Sequence, residues 1–232
     1  MIEVATGAAG VLGALAYAVR APRSSILAPS AWQGAGDRNS VALTFDDGPS
    51  ESTPRVLELL DRFGARATFF HCGANVRRNP ALAREVAAAG HEIGNHTENH
   101  PFLHLRTRRF MRAELLSAQQ SIEDATAVRP TLFRAPYGVR WFGLGAVQRE
   151  LGLTGVTWSV LGFDWKWPPA RVAQRLLKRS APGAIICLHD GRELLPNPRI
   201  SDTLETLRRV IPRWIDRGVQ FETVSQILCP TT

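Results

Sequence analysis

Ser40 to Cys72 reads SVALTFDDGPSESTPRVLELLDRFGARATFFHC, and this stretch sets the fold class. Val41–Phe45 is an apolar run of strand length. From Thr53 to Phe63 the residues Val56, Leu57, Leu59 and Leu60 recur at helical spacing, with Ser52 or Thr53 as cap and Gly64 as stop. Ala67–Cys72 is a second apolar run. Strand, helix and strand in succession form a βαβ unit, whose two strands pair in parallel.

The alternation continues to the end of the chain. Helical patterns cover Pro80–Ala89, Thr107–Ala125, Phe142–Leu151, Pro168–Arg179 and Thr203–Arg217, the last broken or kinked near Pro212. Strand patterns cover His91–Asn95, Thr131–Ala135, Gly155–Val160, Ala184–His189 and Gln220–Val224. About seven such units in one α/β domain suit a closed or nearly closed barrel of parallel strands; an open doubly wound sheet is the alternative. Neither G-x-G-x-x-G nor a P-loop occurs, so no motif points to a nucleotide.

The chain has 232 residues, 44% hydrophobic and 21% charged, which excludes a disordered, collagen-like or multi-span membrane protein. Its formal charge is +7. Lys166 and Lys178 are the only lysines, so the excess is arginine; with abundant alanine this points to a GC-rich genome rather than to a nucleic-acid ligand. The cysteines Cys72, Cys187 and Cys229 form no C-x-x-C pair, which excludes a disulfide framework and a cysteine-based zinc site. Cys72 and Cys187 lie in apolar runs and read as small packed hydrophobes.

Residues 4–19 carry no charge and are followed by Arg20 and Arg23. The segment is short for a membrane span, which needs about 20 residues, and it lacks a positive start. It reads three ways: a signal-like or anchoring segment, a helix packed on the domain, or a disordered tail. Pro22–Asn39 reads as a linker. The expected division is therefore an N-terminal segment over 1–39 and a globular domain over 40–232.

Active sites of parallel α/β folds lie at the C-terminal ends of strands. Here Asp46-Asp47-Gly48-Pro49, His96-Thr97-Glu98-Asn99-His100, Arg134-Ala135-Pro136-Tyr137-Gly138, Asp164-Trp165 and His189-Asp190 each follow an apolar run. Two adjacent carboxylates behind a buried strand are costly without a cation, so they are expected to divide a metal and a base role. His96 and His100, four apart, fall on one side of a helical turn; with a strand-end Asp they make an open divalent site. Arg134 is placed to hold Asp46 ionised. His189 with Asp164 on the neighbouring strand suggests an Asp–His pair whose ring has a raised pKa, as an acid catalyst needs. His71, His91 and His104 show no partner pattern and read as structural.

In order, TFDDGP (Thr44–Pro49), HTENH (His96–His100), RAPYG (Arg134–Gly138), DW (Asp164–Trp165) and LHD (Leu188–Asp190) closely resemble the motifs of the polysaccharide deacetylases, carbohydrate esterase family 4, also called NodB-homology domains. The resemblance runs from about Val41 to Leu228 and implies a distorted (β/α) barrel. It implies that Asp47, His96 and His100 hold one divalent ion, usually zinc, with cobalt or another divalent ion as alternatives. It further implies Asp46 as general base, Arg134 as its positioner, the Tyr137 backbone N–H as an oxyanion donor, Asp164 as tuner of the acid His189, and Trp165 and Leu188 as walls for the acetyl methyl. The implied reaction is N-deacetylation of a glycan containing N-acetylglucosamine, in the cell envelope or outside the cytoplasm, with residues 4–19 a candidate membrane contact. A related amidase, an O-acetyl esterase or a non-catalytic carbohydrate-binding domain are the alternatives. Two positions depart from the family pattern: Leu161, where many members carry an acid, and Cys187, where many carry an aliphatic residue.

Overall fold

The structure, a computed structural model, describes residues 2–230, with the side chains of residues 2–9 and 11 outside the description. The first βαβ unit forms as its sequence dictates: β2 (Ser40–Gly48), α2 (Thr53–Arg62) and β3 (Ala67–His71) follow an N-terminal helix α1 (Ile2–Arg20) and a short strand β1 (Ser30–Ala31). Next come α3 (Gly73–Arg78), α4 (Pro80–Ala88), β4 (Glu92–Asn95), α5 (Arg108–Thr126) and β5 (Leu132–Phe133). The chain ends with α6 (Leu144–Leu151), β6 (Thr154–Val156), β7 (Val160–Leu161), α7 (Pro169–Arg179), β8 (Ala184–His189), α8 (Ser201–Ile215), β9 (Gln220–Phe221) and α9 (Val224–Leu228).

Strands run in the order β1-β6-β5-β4-β3-β2-β8-β7, with β9 added to β2, and every ladder is parallel. The sheet curls into a distorted (β/α) barrel, as the alternation implies. Period-two alternation divides each central strand between two layers. Val41, Leu43 and Phe45 of β2, Phe69 of β3 and Ile186 and Leu188 of β8 face the helices, where they pack with Val56, Leu60, Leu176, Leu207 and Trp214. Each fully buried Leu or Phe in such a layer contributes roughly 1.5–3 kcal/mol. Ala42, Phe70 and Ile185 face the inside of the curl. Thr44, Asp46 and His189 continue that inner face toward the strand ends, because Thr44 pairs with Cys187 and Asp46 with His189.

Three expectations are corrected by the backbone. Residues 22–39 are not a free linker. Ser30 and Ala31 pair with β6, Gln33 bridges to Ala184 at the start of β8, and the Gly34 N–H donates to Gly183 O (2.8 Å). This segment straps the seam between β6 and β8, and its own Ala28 is buried. The run Gly155–Val160 splits into β6 and β7, because the Thr157 N–H turns to Ala31 O (2.8 Å) and the Ser159 N–H to Ile185 O (3.0 Å). The helix α8 continues through Pro212 and ends before Gly218, which takes a left-handed φ of 67°.

The end of α1 is tied to the domain. The Arg140 N–H donates to Val19 O (3.0 Å), and its guanidinium donates to Ala21 O (2.5 Å) and Ser24 O (3.0 Å). Much of the apolar segment 4–19 lies outside the described side chains. Among the described residues no helix is long and apolar enough to cross a membrane.

Candidate active site

Regular alternation would send Asp46 and Asp47 to opposite faces of β2. They share a cleft because Asp47 is a bulge: Asp46 pairs with Phe70, Gly48 pairs with the next residue His71, and Asp47 between them is unpaired with a φ of 72°. That turn aims the carboxylate at two imidazoles. Asp47 Oδ1 lies 3.0 Å from His100 Nε2 and 3.4 Å from His96 Nε2. Asp47 Oδ2 accepts from the Glu193 N–H (2.9 Å), and its carbonyl accepts from Asn75 Nδ2 (2.8 Å).

His96 and His100 do not share a helical turn as their spacing suggests. They sit on the loop after β4, where Thr97 and His100 take φ values of 67° and 54°. Side chains hold that loop in shape. The Thr97 N–H donates to Asn95 Oδ1 (2.8 Å) and the His100 N–H to Thr97 Oγ1 (3.1 Å). Glu114 of α5 accepts from the Asn99 backbone N–H (2.8 Å) and side-chain amide (2.9 Å).

The three groups fit a divalent cation. His96 Nδ1 is 2.8 Å from the Arg134 carbonyl oxygen. A carbonyl only accepts, so Nδ1 carries the proton, and in the neutral ring the bare Nε2 lone pair faces the Asp47 carboxylate. Two lone-pair groups turned toward each other at this distance repel unless positive charge lies between them. The carbonyl contact also fixes the tautomer and ring plane as a metal ligand needs. Burial alone would raise the Asp47 carboxyl; when the His100 and His96 rings carry a proton on Nε2, their hydrogen bonds instead hold it well below the usual carboxylate range. One carboxylate and two imidazoles suit zinc and its divalent neighbours.

Asp46 stands on the inner face beside this trio. Its Oδ1 accepts from Arg134 Nη1 at 2.6 Å, and its Oδ2 lies 3.4 Å from Cys187 Sγ, which donates to it. Arg134 is wholly buried over the Phe70 ring, 4.1 Å from guanidinium carbon to centroid. It also donates to Thr44 Oγ1 (2.6 Å) and Thr157 O (2.9 Å). A guanidinium held at three points fixes the Asp46 carboxylate in direction as well as in charge.

On the far side of Asp46, His189 Nδ1 is 2.9 Å from Asp164 Oδ1, while the His189 backbone N–H donates to Asp164 Oδ2 (3.0 Å). Thr203 Oγ1 donates to the same oxygen (2.7 Å). Burial alone would lower the His189 ring; the Asp164 carboxylate overrides it and carries the pKa up to about 9. Asp164 is correspondingly held below its usual range despite burial, by His189. Trp165 stands edge-on to His189 at 4.8 Å and is half-exposed.

Tyr137, with a left-handed φ of 58°, lies 4.7 Å from His100, stacks on Phe102 at 3.8 Å and donates from its hydroxyl to Glu193 Oε1 (2.9 Å). Leu188 does not join the cleft. It pairs with Phe45, not Asp46, and alternation buries it among the helices. The neighbouring Cys187 occupies the cleft face instead. Glu193, Asn75 and Phe102 are site neighbours that motif reading missed, and Asp190 was quoted in a motif without a role. Asp190 is buried, accepts from Thr53 Oγ1 (2.5 Å), and is pushed by burial up to about 7, with Asp47 adding to the rise. His71, His91 and His104 join neither group of convergent ligand atoms among the described residues; burial lowers His71 to about 3 and His91 to about 4.

Among the described residues eight non-glycine residues have positive φ, and six of them, Asp47, Thr97, His100, Tyr137, Phe163 and Glu193, lie at or just beyond the strand C-terminal ends. Each costs on the order of 1–3 kcal/mol, and such strain persists where surrounding contacts over-determine it, as at functional sites.

Parallel strands that end in carboxylate and imidazole groups of opposed tuning are the arrangement with which barrel enzymes divide acid and base work. Comparison with known proteins narrows that class. The sequence profile of the polysaccharide deacetylase family matches residues 33–156. A chitooligosaccharide deacetylase of Sinorhizobium fredii is 37% identical over 222 residues, covering 91% of this chain and 98% of the relative. The crystal structure of the Bc1960 peptidoglycan N-acetylglucosamine deacetylase superposes with a TM-score of 0.79 at 30% identity, covering 84% of this chain and 91% of that one. A carbohydrate esterase family 4 pseudoenzyme from Bacillus anthracis superposes with a TM-score of 0.78 at 28% identity, covering 88% and 70%. The chain belongs to the polysaccharide deacetylase family.

Proposed function

We propose that the protein is a metal-dependent hydrolase that removes the N-acetyl group from N-acetylglucosamine units of a glycan. The observation that carries this reading is the bulge at Asp47, which places two adjacent carboxylates in one cleft with different partners: imidazoles for Asp47, Arg134 for Asp46. Asp47, His96 and His100 would hold one divalent ion, zinc being the best match to the ligand set. When bound, such an ion supplies Lewis acidity, making the acetyl carbonyl more electrophilic and a neighbouring water more acidic.

The chain's own residues do the rest. Asp46, fixed through Oδ1 by Arg134, takes a proton from the attacking water as its oxygen bonds to the acetyl carbon. The Tyr137 backbone N–H donates to the developing oxyanion. His189, which holds its proton at neutral pH, gives it to the nitrogen as the C–N bond breaks, leaving acetate and a free amino sugar. Asp164 keeps the imidazole oriented and basic enough to be charged beforehand. Trp165 walls the acetyl side of the cleft. Glycans of this type place the enzyme at the cell envelope or outside the cytoplasm.

The test is acetate release from N-acetylglucosamine oligomers by the full chain, metal-stripped and zinc-restored, with Asp46→Asn alongside. Zinc-dependent release that falls about 10²–10⁴-fold in Asp46→Asn is expected. Zinc binding at one equivalent without turnover on N-acetyl or O-acetyl sugars would class the chain with its pseudoenzyme relative and overturn the proposal.

A further inference from the structure

At the cleft floor the Cys187 thiol does not stand alone. Asp46, Cys187 and His189 each present one ligand atom within 4.8 Å of the other two. These residues are distinct from Asp47, His96 and His100, which form their own group. The register explains the convergence: Cys187 and His189 are alternate residues of β8, facing the same side as Asp46 of β2, which is paired with His189. The Cys187 Sγ to Asp46 Oδ2 separation is 3.4 Å. A tetrahedral zinc with bonds of about 2.0–2.3 Å holds its ligand atoms about 3.3–3.8 Å apart, so this edge already has the right length. Each ligand is also held from behind: Asp46 Oδ1 by Arg134, leaving Oδ2 toward the thiol, and His189 Nδ1 by Asp164, leaving Nε2. An imidazole fixed through its other nitrogen by a carboxylate is the usual posture of a metal-ligating histidine.

The geometry points to a second, inhibitory site for a thiophilic divalent ion such as Zn²⁺ or Cd²⁺, formed by Asp46, Cys187 and His189. On binding, the Cys187 S–H and the His189 Nε2–H bonds break, both protons pass to solvent buffer, and metal–sulfur and metal–nitrogen bonds form; Asp46 Oδ2 completes the set. One ion then ties up both the general base and the general acid. The inhibition rests on the roles proposed above for Asp46 and His189, whereas the binding does not. The Arg134 charge beside Asp46 and the protons that must leave the thiol and the imidazolium all oppose the ion, so this site fills after the first. A relative with an aliphatic residue at this position has only two of the three ligands.

The test uses full-length protein with the exposed Cys229 changed to serine, so that it does not bind soft metals itself. Metal-stripped protein is titrated with Cd²⁺ and separately with Zn²⁺, reading metal per chain by equilibrium dialysis and the cadmium–thiolate absorption in the ultraviolet. Acetate release is followed in parallel. Two equivalents of Cd²⁺ are expected, the thiolate band growing with the second and activity falling as it fills. Cys187→Val, with Cys187→Ser as a second variant should valine perturb the fold, is expected to keep the first equivalent. It should lose the band and need at least tenfold more metal for inhibition. A single equivalent in the parent protein, or a second that brings no thiolate band, overturns the inference. So does a second equivalent that Cys187→Val and Cys187→Ser both retain. Absence of deacetylation with the second equivalent and its band intact would instead refute the proposed activity and leave the site standing.

Discussion

Asp164→Asn isolates what the carboxylate behind His189 does. Asparagine keeps the shape and still offers Oδ1 to the Nδ1–H of the ring, 2.9 Å away in the parent protein. It removes the negative charge that carries the ring from its ordinary 6.5 up to about 9. The acid must be protonated, so activity is present below the His189 pKa and lost as pH rises through it. At pH 8 a ring of pKa 9 is about 0.9 protonated and one of pKa 6.5 about 0.03, a loss of ~30-fold; at pH 6 the same change costs less than ~1.5-fold. Burial, which lowers the ring, and the Asp47 and Asp46 charges, which raise it, both remain in the variant. Positive charge bound at Asp47 lowers the limb of both proteins together and leaves the pH-dependent ratio nearly unchanged. The assay is acetate release from N-acetylglucosamine oligomers between pH 5.5 and 9.5, with kcat/KM compared at each pH. The alkaline limb of Asp164→Asn should move to lower pH, widening the gap from pH 6 to pH 8. Equal loss at every pH would show that Asp164 only props the ring, and an unmoved alkaline limb would remove His189 as the acid.

The other expectations follow from burial and pairing. His100→Ala should abolish binding of the first equivalent of zinc by dialysis while far-ultraviolet circular dichroism is retained, since the ring's ion-pair and ring contacts run to Asp47, His96 and Tyr137 within the site. Arg134→Met leaves the buried Asp46 carboxylate unpaired and should cost about 3–5 kcal/mol in urea unfolding; unchanged stability would mean that Asp46 has another partner. Asp190→Asn tests the buried carboxyl raised to about 7. Its neutral form supports folding below about pH 4, and that support is lost as pH rises through 7. The metal-stripped variant should therefore gain stability over the parent in urea unfolding at pH 8, by at most about 4 kcal/mol, and little at pH 4. A gain independent of pH would refute the ionisation argument.

Periodic features of the sequence were legible and irregular ones were not. The runs from Val41 to His189 gave the parallel alternation because apolar spacing reflects burial, and burial decides these elements. The strap at residues 30–34 was invisible for the converse reason. Its contacts are backbone hydrogen bonds to Gly155, Val156, Gly183 and Ala184, which leave no mark on side-chain composition. Ser, Pro, Gly and Ala therefore read as linker. Similarly Asn75 and Glu193 reach Asp47 through an amide side chain and a backbone N–H from loops with no period to betray them.

Strand register bears differently on β8 and on β2. The placement of Leu188 was open to correction from register alone. Once His189 is set on the cleft side beside Asp46, period two puts Cys187 on that side and Leu188 on the other. The opposite holds for Asp47. Period two places it with the helices if Asp46 faces the cleft, and a strict strand reading would have split the two carboxylates across the sheet. Only a bulge brings both to one face, and a left-handed aspartate is among the less costly ways for a non-glycine residue to make one. The motif that looked like a strand end followed by a turn is thus a strand that continues through Gly48 with one residue too many. That extra residue carries the carboxylate on which the candidate metal site converges.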